Sequence, residues 1–288
     1  MLCRRSLIAA SIALPFAAQA QGSFRSFLAE VSREAWAAGV PSRISASAFL
    51  GLMPDPEVIE RDQTQPEFTL TWAQYRARVL PPSRIANGRQ AFLDNTSLLH
   101  NISLNYGVDP GVILAIWGIE SNYGANKGKF QLIRSLATLA YQGRRGGYFK
   151  SELINALKIL ADGYATQDML LSGWAGAMGQ PQFMPSSYLK SAVDFEGTGR
   201  RDIWNSVPDT LASIANYLAQ HGWQRGESWG EPVTYSPGSM TPGDKILTPD
   251  AASPDLIYLT HPNFGVIKRY NPSDFYALAV GLLADAVV

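Results

Sequence analysis

The segment from Asp109 to Ser121 constrains the fold more than any other part of the chain. Asp109 and Pro110 are typical of a helix start, in which an N-cap residue precedes proline at the first helical position. The residues from Val112 to Ser121 continue as a strongly apolar helix, which Gly124 is expected to end. The composition, with 46% hydrophobic and 17% charged residues, fits an ordinary packed globule in which such a helix can be buried.

One acidic residue, Glu120, ends the apolar face of this helix. The helical period places Ile113, Ile116, Trp117 and Glu120 on one face. Burial raises the pKa of a carboxyl group, and the partial negative charge of a helix C-terminus acts in the same direction. A carboxylic acid that is protonated near neutral pH can protonate a glycosidic oxygen, as the acid of lysozyme illustrates. The spacing alone leaves open a glutamate that simply reaches solvent where the helix ends.

The first 20 residues are predicted to be a secretory signal peptide. Arg4 and Arg5 precede an apolar stretch from Leu7 to Ala18, and the AQA sequence at 18–20 is typical of a cleavage site. An uncleaved signal anchor and a twin-arginine signal remain alternatives. The only cysteine, Cys3, lies before the apolar stretch and not at the cleavage point, so there is no lipobox. The mature protein is therefore expected in the periplasm.

Charge and residue spacing exclude several classes of function. The formal net charge is zero and the basic pairs are isolated, which argues against a nucleic-acid binder. No later stretch of 18 or more apolar residues occurs, so no integral membrane segment is expected after signal cleavage. The mature chain would lack cysteine, and its three histidines are far apart, so neither a thiol nucleophile nor a His or Cys metal site is predicted.

The hydrophobic periodicity predicts a mainly α (α+β) fold. Helical pattern dominates residues 21–100 and continues through 101–222, and a long helix is predicted across this boundary from about Ser83 to Tyr106. Prolines such as Pro232, Pro237, Pro242, Pro254 and Pro262 interrupt the stretch 223–270, which indicates turns and a few small strands. A final helix is predicted within 271–288.

Several segments carry long and specific motifs. They are GIESNYG at Gly118–Gly124, AGAMGQPQFMPSSY at Ala175–Tyr188, AVDF at 192–195, IANY at 214–217 and RYN at 269–271. In their order and spacing they resemble the lytic murein transglycosylases, specifically the membrane-bound type B family, from about Thr71 onward. This resemblance implies a lysozyme-like catalytic core with a helical insertion at 101–222. Residues 21–100 would contribute to the groove, and the helix within 271–288 would pack on the core.

The resemblance also implies roles for individual residues. Glu120 would be the single acid/base catalyst. Sugar rings stack on aromatic side chains while their hydroxyl groups need polar partners, so tyrosine and amide side chains suit a glycan groove. The predicted substrate contacts are Tyr75, Ser121, Asn122, Gln182, Tyr217 and Tyr270. For each tyrosine, core packing with a satisfied hydroxyl group is the alternative.

The chain departs from the family pattern at one position of the groove. The family usually has serine directly before the aromatic residue that precedes AGAMG, whereas this chain has Gly173 before Trp174. A serine contact to the substrate is therefore missing unless Ser172 or a water molecule replaces it.

A second departure concerns metal. Residues 194–202 resemble the EF-hand-like calcium loop of some family members, with candidate ligands Asp194, Glu196, Thr198 and Asp209. The twelfth loop position, Asn205, cannot act as a bidentate acid, and Arg200 and Arg201 add positive charge beside any cation. A structural calcium site and a metal-free loop both stay open, and no cofactor is required for the expected reaction.

That reaction, as the resemblance implies, is cleavage of the β-1,4 bond between N-acetylmuramic acid and N-acetylglucosamine with a 1,6-anhydromuramyl product. The expected partners are peptidoglycan glycan strands, together with proteins of cell-wall synthesis or remodelling. Glycosidases usually use two carboxylates, but no second carboxylate accompanies Glu120 within a motif. A hydrolytic muramidase and a non-catalytic peptidoglycan-binding protein remain alternatives.

Overall fold

The structure is a computed structural model that describes residues 14–64, 70–233, 244–252 and 256–288, with side chains from Ser23 onward. The basic region and most of the apolar stretch of the predicted signal peptide lie outside the described residues, so that prediction stays untested. The helices before the central one are α1 (Leu14–Ala37), α2 (Ser42–Ala48), α3 (Pro56–Gln63), α4 (Trp72–Val79), α5 (Pro82–Asp94) and α6 (Thr96–Tyr106).

The remaining elements complete a mainly helical molecule. They are α7 (Pro110–Ser121), β1 (Phe130–Gln131), α8 (Leu132–Gln142), α9 (Gly146–Ala161), β2 (Leu171–Ser172), α10 (Pro185–Ser191), α11 (Val207–Gln220), β3 (Gly230–Pro232), β4 (Lys245–Leu247), β5 (Tyr258–Thr260), α12 (Pro262–Tyr270) and α13 (Asp274–Val287). Strands β1 and β2 form an antiparallel pair, and β5 lies between β3 and β4 in a second antiparallel sheet.

Helix α7 is almost entirely buried, and its predicted start is confirmed. The Asp109 carboxylate accepts hydrogen bonds from the backbone N–H groups of Gly111 (2.8 Å) and Val112 (3.2 Å), which satisfies donors that have no partner within the helix. Every residue from Gly111 to Gly118 is buried. Helix α13 lies along α7 and supplies much of the surface that covers it.

Two hydrophobic clusters form the interior. The first surrounds α7 with side chains from α4–α6, α11–α13 and the three-stranded sheet. The second joins α1–α3 to α8–α10 and the two-stranded sheet. Tyr217 and Tyr270 are partly buried and pack against both clusters, so they mark the seam between them.

The predicted continuous helix from Ser83 to Tyr106 is wrong, because Asn95 divides it into α5 and α6. The Asn95 side-chain amide donates a hydrogen bond to the Ala91 carbonyl oxygen (2.8 Å), and its backbone N–H also bonds back to α5. These bonds satisfy carbonyl groups at the end of α5 and favour a break there. Apolar periodicity continues across the break and therefore did not indicate it.

The stretch 223–270 is only partly as predicted. The short strands β3, β4 and β5 confirm the β-rich region, but residues 262–270 form the helix α12. Pro262 stands at the first helical position, where the missing N–H group costs nothing and the fixed φ favours the helix. In the sequence alone, the same proline indicates an interruption. The domain boundaries themselves stay a prediction.

Candidate active site

Glu120 lies at the penultimate position of α7 and is partly exposed, and its charge acts on Tyr270, which lies at the seam between the two clusters. The hydroxyl group of Tyr276, on α13, donates a hydrogen bond to Glu120 Oε1 at 2.6 Å. Burial raises the pKa of Glu120 from 4.5 to about 7, although the hydrogen bond from Tyr276 acts in the opposite direction. Among the described residues no other carboxylate contributes to this shift. The side chain is therefore a single carboxyl group that can exist in both protonation states near neutral pH.

A left-handed turn follows directly after Glu120 and Ser121. Asn122, Tyr123 and Gly124 have φ angles of 52°, 57° and 84°. Asparagine and glycine tolerate this region, whereas an aromatic residue adopts it only where its surroundings hold it. The Tyr123 hydroxyl donates to the Arg84 carbonyl oxygen (3.0 Å), and its ring lies edge-on to that of Trp117, with centroids 5.6 Å apart. The turn ends α7 abruptly, one residue beyond Ser121.

Two glycines make the space that holds the Tyr123 ring. A Cβ atom at Gly118 would lie 2.5 Å from Tyr123 Cζ, and one at Gly88 would meet the Tyr123 hydroxyl and the side chain of Val287. Real Cβ atoms do not approach other atoms so closely. Gly118 and Gly88 are therefore required by the packing of Tyr123 against α7 and α5.

The substitution Gly118→Ala is expected to lower the free energy of unfolding by about 1–3 kcal/mol and to reduce activity, because the displaced Tyr123 ring would shift the turn beside Glu120. Urea unfolding measures the first effect. The matched control is Gly147→Ala in α9, where a Cβ atom meets nothing within 4 Å. That variant should be unchanged or stabilised by up to about 1 kcal/mol, since alanine is the better helix former. Equal stability of the two variants would contradict the steric argument.

Ser121, a predicted substrate contact, is buried with a relative exposure of 1%. Its hydroxyl group donates to the Trp117 carbonyl oxygen (3.0 Å) and accepts from the Gly124 N–H group (3.0 Å). The hydroxyl group thus links the end of α7 to the following turn and does not face the seam. Asn122 is partly exposed beside it and remains available.

The predicted residues Tyr217 and Tyr270 come together on one side of the seam. Their ring centroids are 4.9 Å apart, and both rings pack against Phe183. The Tyr217 hydroxyl donates to the Arg269 carbonyl oxygen (2.7 Å), and the Tyr270 hydroxyl donates to the Pro181 carbonyl oxygen (2.6 Å). Burial, followed by the nearby charge of Glu120, raises the pKa of Tyr270 well above its usual value. Both hydroxyl groups are thus engaged with backbone, and the partly exposed rings remain as apolar surface.

Gln182 lies in the tight turn of the AGAMGQPQFMPSSY motif. Its φ of 51° is left-handed, and its side-chain amide donates to the Gly179 carbonyl oxygen at 2.8 Å. A Cβ atom at Gly173 would lie 3.5 Å from Gln182 Oε1, so the serine that this chain lacks would stand beside that oxygen. Ser172 does not replace it, because Ser172 is fully buried and donates towards the Phe130 carbonyl oxygen (3.4 Å).

Tyr75 approaches the same centre from α4. It stacks on Trp72 and packs against Phe275, with ring centroids 6.2 and 5.6 Å apart. Its pKa is raised chiefly by burial and next by the negative charge of Glu120, which places the hydroxyl group in the electrostatic range of the acid.

The loop at 194–209 is closed by its own backbone. The Asp194 carboxylate accepts from the N–H groups of Thr198 (2.8 Å) and Gly199 (2.6 Å), and these bonds lower its pKa against the opposing effect of burial. Asp209 is buried and accepts from the N–H groups of Phe195 (2.9 Å) and Asp202 (2.8 Å). No group of three or more acidic, His or Cys side chains in the described part of the chain could hold a metal ion. Two of the candidate ligands, Glu196 and Thr198, are exposed, and the EF-hand-like calcium site stays a prediction.

Three residues that position the site were missed in the sequence. Tyr276 bonds Glu120, and Tyr123 supports the turn. Gln180, 3% exposed, accepts from the Trp117 indole N–H group (2.8 Å) and donates to the Trp204 carbonyl oxygen (3.1 Å). Gln180 and Tyr123 lie inside the recognised motifs, so motif membership was the available signal. Tyr276 is 156 positions from Glu120, and no local pattern links the two.

The motifs and the fold both indicate one protein family. A family model described as the transglycosylase SLT domain matches residues 23–242 and 237–285. The chain belongs to the transglycosylase SLT domain family. Membrane-bound lytic murein transglycosylase B of Escherichia coli (strain K12) is 34% identical to it, in a match that covers 75% of this chain and 67% of that protein.

Solved structures of other lytic transglycosylases superpose on this chain. SltB3 from Pseudomonas aeruginosa in complex with NAG-NAM-pentapeptide has a TM-score of 0.86 at 38% identity, over 92% of this chain and 79% of that one. Its complex with NAG-anhNAM-pentapeptide gives 0.85 at 37% identity with the same coverage. Lytic transglycosylase Slt35 of Escherichia coli in complex with calcium gives 0.76 at 28% identity, over 92% of both chains.

These likenesses confirm the predicted mainly helical, lysozyme-like fold and the assignment to the lytic transglycosylases, a class of enzymes acting on peptidoglycan. Among the described residues no single helix is long and apolar enough to cross a membrane. The one pair that reaches the necessary length and apolarity together, α6 with α7, is bent by 112°.

Proposed function

We propose that this chain cleaves the β-1,4 bond between N-acetylmuramic acid and N-acetylglucosamine in peptidoglycan and forms a 1,6-anhydromuramyl product, with Glu120 as the single acid/base. The observation that carries the proposal is the environment of Glu120. It is one partly buried carboxyl group with a pKa of about 7, and Tyr276 is its hydrogen-bond donor among the described residues. The predicted periplasmic location and contacts with other cell-wall proteins belong to the same proposal.

In the first half of the reaction, neutral Glu120 donates its proton to the glycosidic oxygen. The bond between that oxygen and the muramyl C1 atom breaks, and the N-acetylglucosamine side leaves with a free hydroxyl group. The carbonyl oxygen of the substrate's own N-acetyl group stabilises the positive charge at C1. Burial favours the protonated acid that this step needs.

In the second half, the Glu120 carboxylate takes the proton from the muramyl 6-hydroxyl group, whose oxygen attacks C1 and closes the 1,6-anhydro ring. Glu120 returns to its neutral form, and no water is consumed. The Tyr276 hydroxyl stabilises the carboxylate between the two steps, because a hydrogen bond donated to the ionised form favours that form. A pKa near the working pH lets one group serve both as acid and as base.

A single carboxylate favours ring closure over hydrolysis. Hydrolytic enzymes usually position a second carboxyl group as nucleophile or as the base that activates water. Among the described residues no second carboxylate contacts Glu120 or shifts its pKa. The complex of SltB3 with NAG-anhNAM-pentapeptide supports the proposal, since the named ligand contains an anhydro sugar.

The other seam residues are proposed to bind the glycan. The partly exposed rings of Tyr217 and Tyr270 would stack on sugar faces, while Gln182 and Asn122 would bond sugar hydroxyl or acetamido groups. Tyr75 would contact the sugar next to Glu120. Ser121 is proposed to hold the end of α7 and not to touch the glycan, because its hydroxyl group is buried and already engaged.

Mass spectrometry of the muropeptides released from purified peptidoglycan tests the reaction type. We expect anhydromuramyl products, each one water lighter than the corresponding reducing sugar. The same digestion in H₂¹⁸O should leave the products unlabelled, because water does not enter the bond that forms. Labelled reducing products would establish a hydrolytic muramidase, and binding without any product would establish a non-catalytic protein.

A further inference from the structure

A cavity of about 530 Å³ lies between the small sheet and α12, outside the residues assigned to the glycan. Its ionisable lining residues are Lys245 on β4, His261 before α12, Lys268 and Arg269 on α12, and Asp274 at the start of α13. The proposed reaction uses none of these side chains.

The cavity carries more accessible positive than negative charge. Lys268 is paired with Asp274 at 2.6 Å, whereas no ion pair among the described residues involves Lys245 or Arg269, both of which are exposed. His261 Nδ1 lies 2.7 Å from Oδ1 of Asp244, whose side chain is 1% exposed. A buried carboxylate fixes the orientation of the imidazole ring without itself reaching the cavity. Two cations without an ion pair among the described residues, beside an oriented imidazole, give the cavity the charge that a carboxylate group would complement.

The position of the cavity ties it to the catalytic centre. Arg269 lines the cavity, while its carbonyl oxygen accepts the Tyr217 hydroxyl and its neighbour Tyr270 lies at the seam. Asp274 lines the cavity two residues before Tyr276, which bonds Glu120. The last turn of α12 and the first turn of α13 therefore contribute residues both to the cavity and to the surroundings of Glu120.

We infer that this cavity is a subsite for the carboxylate groups of the peptide carried by the muramyl residue, with Lys245 and Arg269 as the anchoring charges. The inference rests on the proposed function, because only a muramyl residue bound near Glu120 would present its peptide here. The named ligands of SltB3, in which a pentapeptide is attached to NAM, agree with an occupant of this chemistry. A peptide tethered to the bound glycan reaches the subsite at a high effective concentration.

The test compares two substrates on the full chain. One is purified glycan strands with their stem peptides, and the other is the same preparation after an amidase has removed the peptides. We expect Lys245→Gln combined with Arg269→Gln to lower kcat/KM on the peptide-bearing strands by about tenfold, the value of roughly one charge-assisted contact. On the stripped strands kcat/KM should change less than about twofold.

The control variant is Arg43→Gln, an exposed arginine on α2 without an ion-pair partner among the described side chains. It removes a positive charge elsewhere and should leave both rates unchanged. An equal loss on the two substrates, or no loss on either, would overturn the subsite while leaving the proposed reaction intact. A wild-type chain that releases no product from either substrate would instead overturn the proposed reaction, and the subsite with it.

Discussion

Replacing Glu120 with glutamine is expected to abolish nearly all cleavage while leaving the fold and glycan binding unchanged. The glutamine side chain has the size of the acid, and its amide oxygen can still accept the Tyr276 hydrogen bond, but it can neither give nor take a proton. General acid–base catalysis contributes about 10²–10⁴-fold per step, and Glu120 serves both steps. We therefore expect kcat to fall by at least about a thousandfold, measured as anhydromuropeptide release.

The matched control for Glu120→Gln is Glu60→Gln, an exposed glutamate on α3. It makes the same chemical change at the surface and should retain full activity. Pull-down of each variant with insoluble peptidoglycan separates loss of chemistry from loss of binding. If Glu120→Gln retained more than about a tenth of the wild-type rate, Glu120 would be removed from the mechanism. Another group would then have to supply the proton.

The parts of the fold that the sequence predicts well are those in which local chemistry and burial agree. Asp109 and Pro110 predict the start of α7, and the apolar run after them is the most buried helix of the first cluster. The acid at the end of that run was predicted to have a raised pKa, and the structure gives the same direction with burial as the main cause. The apolar pattern and the acid whose pKa is raised by burial therefore lie in the same helix.

Most of the structural features that the sequence does not predict depend on contacts between residues far apart in the chain. The hydrogen bond between Tyr276 and Glu120 depends on α13 lying along α7, which neither segment specifies alone. The left-handed conformation of Tyr123 depends on space left by Gly88 in α5 and Gly118 in α7. The helix break at Asn95 and the helix that begins at Pro262 are also not predicted by the sequence, but for a different reason. In both cases the residue type allows two local structures, and packing selects one.

Ser121 illustrates the limit of transferring a motif residue by residue. The motif places it beside the proposed acid, and it does follow Glu120 directly, but a helix turns each successive residue by about 100°. The Ser121 hydroxyl group is consequently buried and bonds Trp117 and Gly124, whereas Glu120 is partly exposed and accepts a hydrogen bond from Tyr276. Proximity in sequence to a catalyst therefore does not place a side chain in contact with the substrate.

The raised pKa of Glu120 has a cost in stability, and its sign can be worked out. The pKa is 4.5 in an unfolded chain and about 7 in the folded protein, so the folded state holds the proton more tightly. Below pH 4.5 the group is neutral in both states and contributes no penalty. As the pH rises from 4.5 to 7, the unfolded chain ionises while the folded protein resists, and stability is lost across this window. Above pH 7 the loss is complete, at about 3 kcal/mol for a difference of this size.

The variant Glu120→Gln should therefore be more stable than the wild type at pH 8, by up to about 3 kcal/mol, and equally stable at pH 4. Urea unfolding of both proteins at several pH values measures the difference, and every other titrating group cancels because both chains share it. Glu60→Gln should follow the wild type throughout. Parallel stability curves for Glu120→Gln and wild type would show that Glu120 ionises in the folded protein as easily as in the unfolded chain. The burial argument for its role as the acid would then fail as well, because the same desolvation that destabilises the carboxylate in the fold keeps the catalyst protonated at neutral pH.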